Sequence, residues 1–227
     1  MIDQTSKAVF FDMNETLLNL GLLQEQFDKY FEDKYVLKYW FAKLLHSSCI
    51  MGIMEEYVNF GELAGAALEK LFVEHHKPLS EETKAEILGA FKRLPAYEDV
   101  RPAVNQLREK EIRVVAVSNS SLAMIKEQLT NAGIIDLFDA YYSVDLVKKY
   151  KPFNNIYQAV AQEEGLKVED VTMVATHDWD LFGAKKAGLQ TAYIKRKEAI
   201  YHPYYAQPDL EASDMMDLVK QIIEISG

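Results

Sequence analysis

Ala8, Val9, Phe10 and Phe11 form an unbroken apolar run that ends at Asp12. Four apolar residues in succession predict a strand buried on both faces, and such a strand carries its terminal residue to the edge of a sheet, where ligands bind. Beyond Thr16 the period changes. Residues 22–92 read as helical throughout, most clearly where Phe60, Leu63, Ala64, Ala67, Leu68, Leu71 and Phe72 fall on one helical face. Tyr39, Trp40, Phe41, Leu44 and Leu45 form an earlier aromatic stripe, read as core packing or as part of an apolar pocket facing Asp12. Ser80 followed by Glu81 and Glu82 marks another helix start, with the acids near the positive end of the helix.

The helical pattern ends at Leu94-Pro95, and Pro102 sits in the first turn of a new helix. From there strands alternate with helices. Strands are predicted at Ile112–Val117, Ala140–Val144, Val171–Ala175 and Thr191–Ile194. Helices are predicted at Leu122–Ala132, about 155–164 and about 180–187, closed by Gly133, Gly165 and Gly188 in turn, with a last one from about Asp214 to Ile225. This alternation predicts an α/β fold with a doubly wound parallel sheet. The first strand joins that sheet, so residues 1–18 and 96–227 form a core domain and residues 19–95 an inserted helical cap domain. The aromatic, proline-bearing stretch Tyr201 to Pro208 is the long irregular segment, read as a lid or an interface.

Charge narrows the partners. The 227-residue chain carries a net charge of −10, which argues against nucleic acid and against anionic membrane surfaces, because both need a basic face. No apolar run is long enough to span a membrane, and Met1 to Lys7 lacks a signal-peptide core. Cys49 is the only cysteine, which makes a reducing, cytoplasmic setting the default.

Polar groups follow the apolar strands. Asp12 and Thr16 follow the first, and Ser118-Asn119-Ser120-Ser121 the second. Lys148, Lys149 and Lys151-Pro152 follow the third, and Thr176-His177-Asp178-Trp179-Asp180 the fourth. Each cluster alone reads as turn residues, helix caps or solvated lysines. Their convergence at one sheet edge points instead to nucleophilic catalysis, with Lys151 keeping Asp12 ionised and Ser118 and Asn119 contacting an anionic small molecule. His177 is a candidate general base.

In this order the clusters resemble the haloacid dehalogenase superfamily: Asp12 with Thr16, Ser118, Lys151-Pro152 and Asp180 match its four motifs, and the helical insertion matches its cap. Ser118-Asn119, Ser143-Val144-Asp145, Tyr150-Lys151-Pro152 with Tyr157, Trp179-Asp180, and Tyr57-Val58-Asn59-Phe60 look like the type II 2-haloacid dehalogenases. The resemblance implies that Asp12 displaces halide from C2 of a 2-haloacid to give an ester that water hydrolyses, without a metal or other cofactor. Lys151, Ser118, Asp180 and Thr16 would share the catalytic work. Asn119, Phe41, Asn14, His177 and Tyr157 would line or support the substrate site, and a homodimer is implied. The chain departs from that family in its cap, where Phe41 replaces an arginine, and in Asn14, Ala175 and His177. A Mg²⁺-dependent phosphatase is the alternative, but it calls for an acid at position 14 and a Gly-Asp pair where Ala175-Thr176 stand, leaving Asp178 as the nearest substitute carboxylate. A non-catalytic binding protein on the same scaffold is the third reading.

Overall fold

The computed structural model describes residues 6–226, so residues 1–5 and 227 of the expected core domain lie outside the described residues. Strand β1 (Ala8–Phe11) has no exposed residue. It lies between β2 (Arg113–Ser118) and β4 (Val171–Ala175), and all pairings in the sheet are parallel. With β3 (Ala140–Ser143), β5 (Gln190–Ile194) and β6 (Leu210–Ala212), the six strands run in the order β3-β2-β1-β4-β5-β6. Phe11 pairs with Ala116 on one side and Val174 on the other, so the chain segments that follow β1, β2 and β4 leave the sheet at the same level. This register brings residues more than 160 positions apart into one place.

Helices α1 (Gln24–Asp28), α2 (Val36–Ile53), α3 (Phe60–Glu74) and α4 (Glu81–Phe91) follow β1. The continuous helical reading of residues 22–92 therefore breaks into four helices joined by turns. Asn59 and Ser80 cap α3 and α4, their side chains accepting from Gly61 N and Thr83 N. Trp40, Phe41 and Leu44 are buried as expected, but Tyr39 is 40% exposed and leaves the expected stripe. Its hydroxyl reaches Glu74 on the outer surface.

The rest of the chain alternates. Helices α5 (Val100–Glu109), α6 (Leu122–Asn131), α7 (Asn154–Glu163), α8 (Asp178–Lys186) and α9 (Met215–Ser226) separate the remaining strands or close the chain. Strand β6 has no counterpart in the pattern reading; three residues at an edge, two half-exposed and one exposed, are too few to carry a period. The stretch from Tyr201 to Pro208 braces α8: Tyr205 stacks on Phe182 with ring centroids 4.6 Å apart, and Lys185 Nζ donates to Gln207 O at 2.8 Å.

Two glycines place the functional loops. Gly188 has φ +101°, a left-handed backbone that turns the chain from α8 into β5. Gly183 faces the Lys151-Pro152 turn, and a Cβ there would lie 2.4 Å from Pro152 O. Only a residue without a side chain lets α8 approach that turn so closely.

Candidate active site

Asp12 follows β1 directly, and its backbone N–H donates to Val174 O at 3.0 Å, fixing it over the gap between β1 and β4. Lys151 Nζ lies 3.2 Å from Asp12 Oδ1 and 2.9 Å from Asp180 Oδ2. Lys151 is 1% exposed and Asp180 fully buried. Lys148 remains exposed, so of these two lysines only the one before the proline turns inward. The Asn119 side-chain oxygen accepts from Lys151 N at 2.9 Å, tying the lysine loop to the end of β2. Tyr157 donates to the Asp180 carboxylate and approaches Asp180 O at 3.1 Å.

The second oxygen of Asp12 is held separately. Thr16 Oγ1 donates to Asp12 Oδ2 at 2.8 Å and itself accepts from Thr176 N at 3.0 Å. His177 Nδ1 is 3.1 Å from the same Oδ2, and its Nε2 is 2.9 Å from Glu15 Oε2. Lys197 Nζ donates to the other Glu15 oxygen at 2.8 Å.

These contacts fix the protonation of the site. Burial alone would raise the Asp12 carboxyl, but Lys151, His177 and Thr16 outweigh it and hold Asp12 well below the usual carboxylate range. Burial would likewise lower Lys151, yet its two carboxylate partners keep its pKa above the ordinary lysine value. Burial pushes Asp180 up, and Lys151 offsets only part of that. Burial also pulls against a charged His177, but its bonds to Asp12 and Glu15 prevail and its pKa is pushed up to about 9. Valence gives the same answer. Ionised carboxylates only accept, so a ring with both nitrogens on carboxylates must donate from both and carry a positive charge. A ring so held has no lone pair left for a proton from water, which weighs against His177 as the general base.

Asp12, Asn14, Phe41, Leu45, Phe60, Ser118, Asn119, His177 and Trp179 surround a cavity of about 10 Å³. The His177 ring stacks on Trp179 at 5.1 Å and lies 6.2 Å from the Phe41 ring. Asn14 lines the cavity while its side-chain oxygen accepts from Gln128 Nε2 at 3.2 Å. Ser118 Oγ accepts from Ser120 N at 3.1 Å. Of the residues singled out from the sequence, Asp12, Asn14, Phe41, Ser118, Asn119 and His177 line this cavity, Thr16 and Lys151 bond Asp12, Asp180 lies behind Lys151 and Tyr157 behind Asp180, while Lys148 stays exposed.

Asp180 occupies the third position of α8, whose N-terminus comes two residues earlier than the sequence predicts, so the residue is a buried ion-pair partner and not a cap. Glu15 escaped the sequence reading. It sits at φ +63°, a left-handed conformation uncommon for glutamate, and only that backbone turn aims its carboxylate at His177.

Among the described residues, no group of three or more His, Cys, Asp or Glu is arranged to hold a metal ion. Both Asp12 oxygens already bond cationic side chains. Asp178, the substitute carboxylate, is engaged elsewhere, accepting from Trp179 N at 2.8 Å and His202 N at 3.1 Å. The donor set does not fit Mg²⁺, which favours several carboxylate oxygens in near-octahedral array.

A family profile described as haloacid dehalogenase-like hydrolase matches residues 6–188. The chain is 27% identical over 223 residues to an (S)-2-haloacid dehalogenase of Pseudomonas sp. (strain YL), covering 97% of this chain and 96% of that protein. It is similar in fold to an L-2-haloacid dehalogenase from Xanthobacter autotrophicus solved with chloropropionic acid covalently bound, at TM-score 0.90 and 23% identity, covering 96% of this chain and 99% of that one. The L-2-haloacid dehalogenase RSc1362 superposes at TM-score 0.93 and 24% identity, covering 97% of this chain and all of that one (100%).

Proposed function

The chain belongs to the haloacid dehalogenase-like hydrolases, and from that premise we propose that it hydrolyses a small 2-haloacid through a covalent ester on Asp12, without a metal. The observation that carries this reading is the buried Lys151 ammonium between Asp12 and Asp180, at 3.2 and 2.9 Å. An ammonium there keeps the nucleophile ionised in an apolar setting.

In this reading one oxygen of Asp12 attacks C2 of the acid and expels halide, which leaves as the anion. Ser118 and Asn119, beside the N-terminus of α6, contact the substrate carboxylate. Phe41 and Asn14 line the path of the leaving group, and Tyr157 holds Asp180. Asp180, whose burial makes it a stronger base than a solvated carboxylate, takes the proton of the water that opens the ester. Residues 19–95 act as a cap that contributes Phe41, Leu45 and Phe60 to the cavity, and residues 1–18 and 96–227 form the core. The same reading takes the enzyme to be a homodimer, which sedimentation velocity would test.

The test is halide release from (S)-2-chloropropionate in EDTA, run beside phosphate release from p-nitrophenyl phosphate with added Mg²⁺. Chloride release in EDTA by the wild type, absent in Asp12→Asn, is expected. Mg²⁺-stimulated phosphate release without dehalogenation would overturn the reading in favour of a phosphatase.

A further inference from the structure

The two oxygens of Asp12 are not equivalent. Oδ1 has a single partner, Lys151 Nζ, at 3.2 Å. Oδ2 has two, Thr16 Oγ1 at 2.8 Å and His177 Nδ1 at 3.1 Å. The less encumbered Oδ1 is therefore the attacking atom, and Oδ2 becomes the carbonyl oxygen of the ester. We propose that Thr16 and His177 form an oxyanion hole on that carbonyl oxygen, and that Glu15 is a positioning residue that holds the His177 ring doubly protonated for this purpose. The proposal rests on the covalent Asp12 reading.

The step balances as follows. Water adds its oxygen to Cγ of Asp12 and gives a proton to Asp180, while the C=O pair moves onto Oδ2. The oxyanion so formed faces two donors already in place, Thr16 O–H and His177 Nδ1–H. Collapse restores the carbonyl and breaks the Cγ–Oδ1 bond. The departing 2-alkoxide takes the proton back from Asp180 and leaves as a 2-hydroxy acid, and the second proton of the water, left on the new Asp12 carboxyl, passes to solvent and restores the carboxylate. His177 neither gains nor loses a proton.

The surroundings of the ring fit a fixed cation. Trp179 stacks on it and Phe41 lies across from it, and neither titrates in the working range. Its charged neighbours are Asp12, just after β1, and Glu15 in the turn that follows. Of these two carboxylates, Lys151 reaches Asp12 and Lys197 reaches Glu15. Asp178 faces the 202 backbone, and Asp180 faces Lys151 and Tyr157. A second carboxylate on Nε2 is what distinguishes this ring from a neutral histidine hydrogen-bonded to one acid: Glu15 makes the second proton obligatory. The polarised chain Thr176 N–H to Thr16 O–H to Oδ2 supplies the other donor.

The experiment has two arms. Rapid-quench turnover of (S)-2-chloropropionate, with mass spectrometry of the Asp12 peptide, follows chloride release and ester decay separately. Glu15→Gln should give a normal first burst of chloride, then hydrolyse the ester about tenfold or more slowly near pH 8. The slow step should recover toward pH 6, where the unassisted imidazole regains its proton. The wild type, with Glu15 still on Nε2, should hold its hydrolysis rate to higher pH than Glu15→Gln. Glu15→Gly, which removes the carboxylate and suits φ +63°, should behave like Glu15→Gln and guards against a folding defect. Imidazole NMR without substrate is the second arm: His177 should be doubly protonated at pH 7.5 in the wild type and should lose its second proton at lower pH in Glu15→Gln. Ester hydrolysis at the wild-type rate across the pH range in both variants would overturn the proposal. So would a neutral His177 in the wild type at pH 7.5. A wild type that forms no ester overturns the covalent reading and the oxyanion role together, while the NMR arm still reads whether Glu15 sets the charge on the ring.

Discussion

A histidine between two carboxylates links the chemistry of this site to the stability of the fold. His177 is raised from 6.5 to about 9, so its contribution is fully present below pH 6.5 and is lost as pH rises through about 9. Asp12 and Glu15 are both lowered, so their contributions are present above the ordinary carboxylate range and fade as pH falls below it. The protein should be most stable between about pH 5 and 6.5, losing on the order of 2–3 kcal/mol between pH 6.5 and 9.5 through His177. Urea unfolding at several pH values should show this decline, and His177→Asn should flatten it. An equally steep decline in His177→Asn would show that other groups cause it. Asp12, Ser118, Lys151 and Asp180 were legible because each lies at or just after an apolar strand in a recognised order. Glu15 was not, because its approach to His177 depends on a left-handed backbone turn that no residue type announces.

At the scale of elements, the site depends on how closely α8 rides on the turn that carries Lys151. Gly183 and Pro152 are in contact, and any Cβ at position 183 would meet the Pro152 backbone, which cannot swing aside as a flexible side chain can. Gly183→Ala must push α8 and the lysine turn apart, lengthening the Lys151–Asp180 pair from 2.9 Å. Overpacking of this kind costs about 1–3 kcal/mol. We expect Gly183→Ala to unfold at lower urea and to lose more than tenfold in halide release, since the buried ammonium would lose its fixed geometry. A variant with a normal turnover rate would show that the turn can give way without cost. The main strands and the glycines after α6, α7 and α8 were legible, because buried strands and helix stops both mark the sequence. The start of α8 was not. The order of the strand-end clusters marks Asp180 as a site residue, but taken locally it reads as a helix cap, and its place in the third position of α8 shows only in the structure.

For the molecule as a whole, the question is how a substrate enters. A cavity of about 10 Å³ holds roughly one water, far less than a chlorinated acid. Its roof is Phe41, Leu45 and Phe60 from the helical insertion, and its floor is the sheet edge. The insertion is fastened to the core close to Lys151: Tyr57 OH bonds Asp145, Val58 N donates to Tyr150 OH at 3.1 Å, and the Tyr57 and Tyr150 rings stack at 5.1 Å. Release of this clasp would move the roof away from the floor, as lids do in other enzymes. The sequence supplied the insertion as a run of helices but not the clasp, which joins residues 88 positions apart. Tyr57→Phe keeps the ring stack and removes the bond to Asp145, worth about 1 kcal/mol for a partly exposed pair. The opened form should become several-fold more populated in this variant. Trp179 lines the cavity whereas Trp40 is 1% exposed, so iodide quenching reads the opening chiefly through Trp179. Quenching should rise in Tyr57→Phe, and KM for 2-chloropropionate should fall if opening limits access. Unchanged quenching and KM would place the entrance elsewhere along the boundary between the insertion and the sheet.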